Sequence, residues 1–454
     1  MLSDVLQCPR CERGSLRHEP AGYICAHCSA GYPVIGAMPW LFHDPQGAAG
    51  EWRARLTLLL GELQEDALAT RAALAGPGLL SATRERLGRV ADALEDHGRR
   101  LTALLAPLQV LAGNADRDAL LALRTRLPVS QALTTYYANI HRDWAWGDAE
   151  NHSTLALLDS AVDEPLAGAR VLVLGAGAGR LAYDLHRRHT PALTVAMDIN
   201  PMLLSVAREM YAGRTLELHE FPLAPREGAG HAILRTLRAP AAADERLQIV
   251  AADAMRAPFQ PGAFDVVVTP WFIDIVEEPF PRLAAHVNSL VAPGGRWLNV
   301  GSVAFGFMNT QRALQYGLDE VVAIVRDAGF AAPDIRETTL PYMQSPASRH
   351  SRLESTVAWS ARKLADVPRP GSRGLPDWFV DPTRPVPLRA DLEAHARATR
   401  IHAFVMSLID GRRNLGDIAR VLVEQRLMKP EDALPAVRSF VLRMQEDASR
   451  RINL

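Results

Sequence analysis

Two clusters of residues in this chain have the type and spacing to do chemistry. The first is sulfur: Cys8, Cys11, Cys25 and Cys28 all fall within the first 28 residues, and the remaining 426 contain no cysteine. In "CPRCERGSLRHEPAGYICAHC" they make two C-x-x-C pairs with 13 residues between them. Four thiolates at that spacing suit a tetrahedral Zn2+ ion, whereas a secreted disulfide framework would spread its cysteines along the chain. His18 and His27 are not needed as ligands, because four sulfurs complete the site. The expected role of the zinc is structural, stapling residues 1–45, which lack a core of their own.

The second cluster is a turn. "VLVLGAGAGRLAYDLH", residues 171–186, is an apolar run that breaks into Gly175, Gly177 and Gly179 and resumes as a helix. Glycines there let backbone come close to a ligand, and the amides at the helix start can bond its oxygens. Dinucleotide enzymes use G-x-G-x-x-G, but here Arg180 stands where the third glycine would be, which favours a ligand without a pyrophosphate. A plain packing role for Gly175 is the competing reading. "LTVAMDINPMLL" then ends in Asp198, whose carboxylate can accept both hydroxyls of a ribose. "LQIVAADAM" carries Asp253, in place for an adenine amino group. "FDVVVTPWFID" reads as a buried strand and "LVAPGGRWLNVG" as a turn feeding another.

These pieces require a scaffold that puts strand ends side by side. Strands are predicted near 170–174, 193–198, 248–252, 264–269, 295–301, 333–340 and 354–362, with helical segments between the earlier ones. Apolar runs separated by helices predict an α/β fold with a mostly parallel sheet covered on both faces. The order of glycine turn, acid, acid, FDVVV and PGG resembles the class I S-adenosylmethionine-dependent methyltransferases, which implies a seven-stranded, doubly wound, Rossmann-like sheet.

Within that superfamily the chain resembles the carnosine N-methyltransferase family over roughly residues 136–363. The matching stretches are "IHRDWAWG", "GAGAGRLAYDL", "VVVTPWFIDIVEEPFPRLAAHVNSLVAPGGRWLNVGSVAFGF" and "YGLDEVVAIVRDAGF", together with a long insertion from about 216 to 247. The resemblance implies S-adenosyl-L-methionine as cofactor, held by Asn139, Arg142, Gly175, Ala176, Gly177, Gly179, Arg180, Asp198, Asp253, Ala254 and Pro270. Arg142 would meet the methionine carboxylate, which a guanidinium fork suits; a surface ion pair is the alternative. Asp274 would contact an accepting imidazole, fixing its tautomer and aiming the other nitrogen at the methyl group; the alternative is a helix cap. Trp271 and Phe272 would wall the sulfonium or stack the acceptor, or simply pack in the core. His350 would be a further substrate contact, or a solvated loop residue.

The chain also departs from the family. Gly306, in "SVAFGF", replaces the family's histidine, and its late tyrosine cluster reads here as "SRHSRLES". Methyl transfer to a nitrogen is therefore the expectation, with an imidazole in a histidine-containing small molecule or peptide as the acceptor, rather than carnosine itself.

The rest of the chain is organised around this domain. Residues 1–45 form the zinc ribbon, and "YPVIGAMPWLF" resembles the tail of small zinc-ribbon proteins that bind and activate methyltransferases. Leucines at helical spacing, such as Leu56, Leu59, Leu60, Leu63, Leu101, Leu104, Leu105 and Leu108, make 46–130 a helical spacer. The methyltransferase domain occupies 131–364. A linker at 365–388, where 366–387 carry six prolines, separates it from a helical domain at 389–454. "FVMSLIDGRRNLGDIARVLVEQ" in that last domain looks like the helical half of the peptide-chaperone fold of pyrroloquinoline quinone biosynthesis. Either end could dock a protein partner. With 48% hydrophobic and 22% charged residues and a net charge of -1, nothing argues for nucleic acid. No apolar stretch is long enough for a membrane span, so a cytoplasmic protein is expected. Competing readings are an RNA methyltransferase guided by the ribbon, and a non-catalytic cofactor-binding or peptide-recognition scaffold.

Overall fold

The computed structural model of the chain describes residues 2–109, 133–276, 278–307, 311–370, 383, 385–388 and 390–452. They divide into two compact units, Met1–Ser372 and Arg373–Leu454.

The first unit opens with strands β1 (Leu16–Glu19), β2 (Gly22–Cys25), β3 (Gly31–Ile35) and β4 (Met38–Pro39), each antiparallel to the next. Asp44 then caps the helix Pro45–Leu74 by accepting from the Gly47 N–H at 2.9 Å, and Pro45 suits the first helical position. That helix pairs with the helix Ser81–Leu104, to which it is tied by Arg71 bonds to Glu95 and Asp92. Of the leucine stripe, Leu56, Leu101, Leu104, Leu105 and Leu108 are buried. The end of the expected spacer, 110–132, lies outside the described residues.

The main sheet uses β5 (Arg170–Leu174), β6 (Leu193–Asp198), β9 (Leu247–Ala251), β10 (Phe264–Pro270), β11 (Val291–Gly301), β12 (Asp334–Tyr342) and β13 (Arg352–Arg362). Its order is β12-β13-β11-β10-β5-β6-β9, with β13 reversed between β11 and β12. Val171–Leu174 are buried throughout, as a strand covered on both faces requires. The seven strands fall where the sequence puts them, the first two at the same bounds. The insertion adds an element not expected, a hairpin of β7 (Leu216–Glu220) and β8 (Ile233–Leu237) outside the main sheet.

The sheet order reverses between β5 and β10, and open α/β sheets bind ligands at the carboxyl ends beside such a switch. Because β12 is reversed twice, through β13, its carboxyl end at Tyr342 lies at the same edge.

The ribbon is not a separate body. Trp40 pairs with Ala251 at the β9 edge, and the Leu41 N–H donates to the Ala251 carbonyl at 2.8 Å. Gln7 N–H donates to the Pro258 carbonyl (2.8 Å) and Gln260 N–H to the Val5 carbonyl (2.9 Å). Leu2, Val5, Leu6, Tyr32 and Leu41 share one core with Val250, Phe259 and Phe264 of the sheet domain. The ribbon therefore has apolar support beyond the zinc it was expected to need.

The second unit has the helices Ala390–Ser407, Leu415–Glu424 and Pro430–Ile452 around Val405, Leu408, Ile418, Leu422 and Val437. No described helix is long and apolar enough to cross a membrane.

Candidate functional site

The four cysteine sulfurs all lie within 4.8 Å of one another. Cys8 and Cys28 are 3.7 Å apart and Cys11 and Cys25 are 3.6 Å apart. A tetrahedron of thiolates about 2.3 Å from a zinc ion puts its sulfurs about 3.8 Å apart, so the donor set fits the metal. Outer contacts orient it: the Tyr32 hydroxyl is 3.0 Å from the Cys8 sulfur, and the N–H groups of His27 and Cys28 donate to that of Cys25.

At the carboxyl end of β5 the three glycines all take left-handed backbone, with φ of +71°, +56° and +87° at Gly175, Gly177 and Gly179. They differ in what surrounds them. A Cβ on Gly175 would lie 2.2 Å from Cδ2 of Phe272, so that position is filled by the protein itself. A Cβ on Gly177 would meet nothing within 4 Å, leaving the turn open where a ligand could approach. The Gly177 N–H donates to Oδ2 of Asp198 at 2.8 Å, and the Asn200 N–H donates to Oδ1 at 2.8 Å. Asp198 therefore fixes the open turn from the end of the neighbouring strand. Asp253 follows β9 and caps the short turn Ala254–Arg256 through the Met255 N–H at 2.9 Å. Burial raises the pKa of both acids. Pro270 is buried at the end of β10, and the Ala176 N–H donates to the Met197 carbonyl.

The segment before the sheet domain closes over this turn. A helix at Tyr137–His141 runs into one turn of π-helix, Arg142–Trp146, a form that recurs at functional sites. Trp144 Nε1 donates to the Ala178 carbonyl at 2.8 Å. The guanidinium of Arg142 lies over the Tyr342 ring at 5.3 Å, and Asn139 Nδ2 is 3.5 Å from the Tyr342 hydroxyl. Arg180 has a structural role as well: its buried side chain donates to Asp184 (2.7 Å), Asp148 (2.8 Å) and the Asp143 carbonyl (2.6 Å). Its guanidinium thus braces the π-turn through Nε and Nη1.

On the other side of the switch stands Asp274, 3% exposed. It caps no helix: Oδ2 accepts from the Ser302 hydroxyl and the Ala304 N–H, both at 2.9 Å, and burial raises its pKa. Trp271 holds φ at +49°, strained for a bulky residue, and donates its N–H to the Val300 carbonyl at 2.7 Å. Its ring sits 4.8 Å from that of Tyr342. Phe272 packs under Gly175 rather than lining an opening.

Three residues here went unassigned from sequence. Tyr342 is buried among Trp271, Arg142 and Arg352, and Glu150 pins the chain just beyond it by accepting from the Met343 (3.0 Å) and Gln344 (2.7 Å) N–H groups. Burial pushes the Tyr136 hydroxyl up to about 12, and Tyr342, Asp274 and Asp198 push it the same way, so Tyr136 faces acids from both sides of the switch. A tyrosine two residues past a predicted strand was the available signal for Tyr342. His350 is exposed on the β12–β13 connection, its backbone N–H donating to the Ser348 hydroxyl.

Residues 233–365 match the family model described as carnosine N-methyltransferase. A curated relative, carnosine N-methyltransferase unmet of Drosophila melanogaster, is 24% identical over 252 residues, 49% of this chain and 53% of that protein. The chain thus spans about half the length of the curated relative it matches. Among solved structures, Haemonchus contortus phosphoethanolamine N-methyltransferase 2 in complex with S-adenosyl-L-methionine aligns at 16% identity and a TM-score of 0.35, over 52% of this chain and 58% of that one. A chain of the complex between the Haloferax volcanii Trm112 methyltransferase activator and a methyltransferase aligns at 14% identity and a TM-score of 0.36, over 52% of this chain and 100% of that one. The chain resembles the carnosine N-methyltransferase family, and the match falls on the part of the sheet domain that contains Asp253, Asp274 and Tyr342.

Proposed function

We propose that this chain is an S-adenosyl-L-methionine-dependent N-methyltransferase whose acceptor is an imidazole, or another nitrogen, in a histidine-containing small molecule or peptide. One arrangement carries the reading. The open turn at Gly177 with Asp198 and Asp253 stands at the ends of β5, β6 and β9, and Asp274 with Trp271 stands across the switch at the end of β10. The first group suits a nucleoside, with Asp198 on the ribose hydroxyls and Asp253 towards the adenine. Arg142 suits the amino-acid carboxylate. The second group suits a planar, weakly basic ring.

The bound cofactor supplies an electrophilic methyl on a cationic sulfur, and the acceptor nitrogen's lone pair forms the new C–N bond as the C–S bond breaks towards sulfur. The chain's work is mainly alignment, holding donor and acceptor atoms about 3 to 3.5 Å apart. Asp274 accepts the far N–H of the imidazole, which leaves the other nitrogen unprotonated and aimed at the methyl. As positive charge develops on the ring, the same carboxylate stabilises it and takes the proton. A pKa raised by burial brings that acceptor nearer to the imidazole's own range. Trp271, with Tyr342 packed behind it, offers an aromatic surface to a cationic or aromatic group.

The four cysteines hold a structural Zn2+ in this reading. The C-terminal unit, with a separate core, is the candidate for a protein partner.

Calorimetric titration with S-adenosylmethionine, followed by labelled-methyl transfer to a panel of histidine dipeptides, histidine-containing peptides and tRNA, tests the proposal. Transfer to a histidine compound is expected. Asp274→Asn is expected to keep cofactor affinity and lose about 100-fold or more in turnover, as removal of a positioned base does; full turnover in that variant would refute its role.

A further inference from the structure

The pair Arg142–Asp143 is not explained by folding alone. Both side chains are nearly buried, at 13% and 5% exposed, and they are neighbours in sequence. On an ordinary helix adjacent side chains diverge, so an ion pair between them does little to hold a helix together. Within the π-turn the two side chains nonetheless meet. Oδ1 of Asp143 accepts from both Nε (2.9 Å) and Nη2 (2.7 Å) of Arg142. The guanidinium fork is thereby occupied along one edge, and Nη1 makes no hydrogen bond among the described residues. Burying such a pair costs desolvation of both charges and is weak evidence of stabilisation, which leaves orientation as the return.

The Asp143 backbone is tied down as well. Its carbonyl accepts from Arg180 Nη1 at 2.6 Å, and the next residue, Trp144, bonds the Ala178 carbonyl within the glycine turn. The Asn151 amide donates to the Arg142 carbonyl at 3.2 Å. The pair is thus referenced to the turn on which the cofactor would lie.

We propose that Asp143 is a positioning residue, which clamps one edge of the Arg142 guanidinium so that the Nη1 edge is presented to the carboxylate of the bound cofactor. This rests on the proposed cofactor reading and adds a residue that acts only through Arg142.

The test compares two ligands that differ in that one group, S-adenosylmethionine and its decarboxylated form, by calorimetry on the full-length chain. Wild type is expected to prefer the carboxylate form by about tenfold or more, as a charge-assisted pair warrants. Asp143→Asn is expected to erase most of that preference while changing affinity for the decarboxylated ligand by less than about twofold. Asp143→Glu keeps the buried charge paired, and so tolerates folding better, but moves the clamp by one methylene. It is expected to lose the preference too. An Arg142→Gln, Asp143→Asn double variant should be no worse than Arg142→Gln alone, because residues acting as a unit are not additive. Equal weakening of both ligands in the Asp143 variants, or additivity in the double variant, overturns the assignment. A wild type that binds both ligands equally overturns it while leaving the nucleoside pocket standing. If neither ligand binds wild type, the cofactor reading fails and this assignment with it.

Discussion

On the side proposed for the nucleoside every group belongs to a strand end or to the turn just after it: Gly177 after β5, Asp198 closing β6, Asp253 after β9. On the acceptor side Tyr136, Asp274, Trp271 and Tyr342 come from three separated stretches, and the two tyrosines are about 200 residues apart in sequence. The first side is made by backbone geometry and needs only short local patterns. The second is made by side chains that meet only once the sheet has closed. That difference implies that the nucleoside side should answer to changes in the backbone at its edge, and the acceptor side to changes in the packing that brings its remote segments together.

The largest effect expected on the nucleoside side comes from the ribbon. The segment after Asp253 is bonded to it at Pro258 and Gln260, and the end of β9 at Ala251 is bonded to Leu41. With the proposed zinc on the four cysteines, stripping it with a chelator, or Cys25→Ser, should loosen the ribbon down to the core it shares with the sheet domain, because structural zinc contributes about 10 kcal/mol or more of binding free energy in small modules. Loss of the edge bonds should then loosen Asp253. The expected result is a lower melting temperature and weaker cofactor binding, measured by calorimetry and metal analysis on the same sample. Unchanged affinity after complete zinc loss would mean that the two sides are not distinguished in this way.

Acid should act instead on the segment that carries Tyr136, Asn139 and Arg142. His141 lies fully buried on it, against the His219 carbonyl, and His97 is buried nearby with Asp96, Arg100, Tyr137 and His219 around it. Burial lowers the pKa of His97 to about 4 and of His141 to about 3. Both are therefore neutral when folded, and the unfolded chain, near 6.5, takes up protons first. Their contribution is complete above about pH 6.5 and falls as the pH drops below it. The slope climbs from half of about 1.4 kcal/mol per pH unit at pH 6.5 to nearly all of it at pH 5.5, so each histidine loses about 1 kcal/mol over that unit and the pair about 2 kcal/mol. Denaturant unfolding at several pH values measures it, and a His97→Gln, His141→Gln double variant should flatten the slope over that window.

The contrast between the two sides also explains what could be read from sequence. The strands near 170–174 and 193–198, and Asp198 at the end of the second, were legible because a buried parallel strand is a continuous apolar run whose last residue marks the carboxyl edge. The β7–β8 hairpin was not, since the insertion shows no clear alternation: Leu216, Glu217, Leu218 give way to His219, and both His219 and Glu220 are buried, His219 against Asp96 of a distant helix and Glu220 against Arg235 of β8 and Ser345. The bracing role of Arg180 was not legible either, because its partners Asp143 and Asp148 lie more than 30 residues upstream, in a segment whose path no local pattern reveals. Tyr342 was hidden for the same reason, as only the double reversal through β13 carries it to the ligand edge.

The smallest effect on stability should be the most selective. Gly177→Ala adds one methyl group where the structure leaves space, so its cost to folding is the left-handed backbone alone, about 1 kcal/mol. Gly175→Ala carries the same backbone cost plus a clash with Phe272, and is the control for a turn that simply cannot be rebuilt. If the space at Gly177 is where the nucleoside approaches, its alanine variant should melt within a few degrees of wild type yet bind S-adenosylmethionine about tenfold or more weakly, because the methyl occupies ligand volume. A Gly177→Ala protein with normal affinity and normal turnover would move the nucleoside away from this turn, and Asp198 would then be left as a brace for the turn and nothing more.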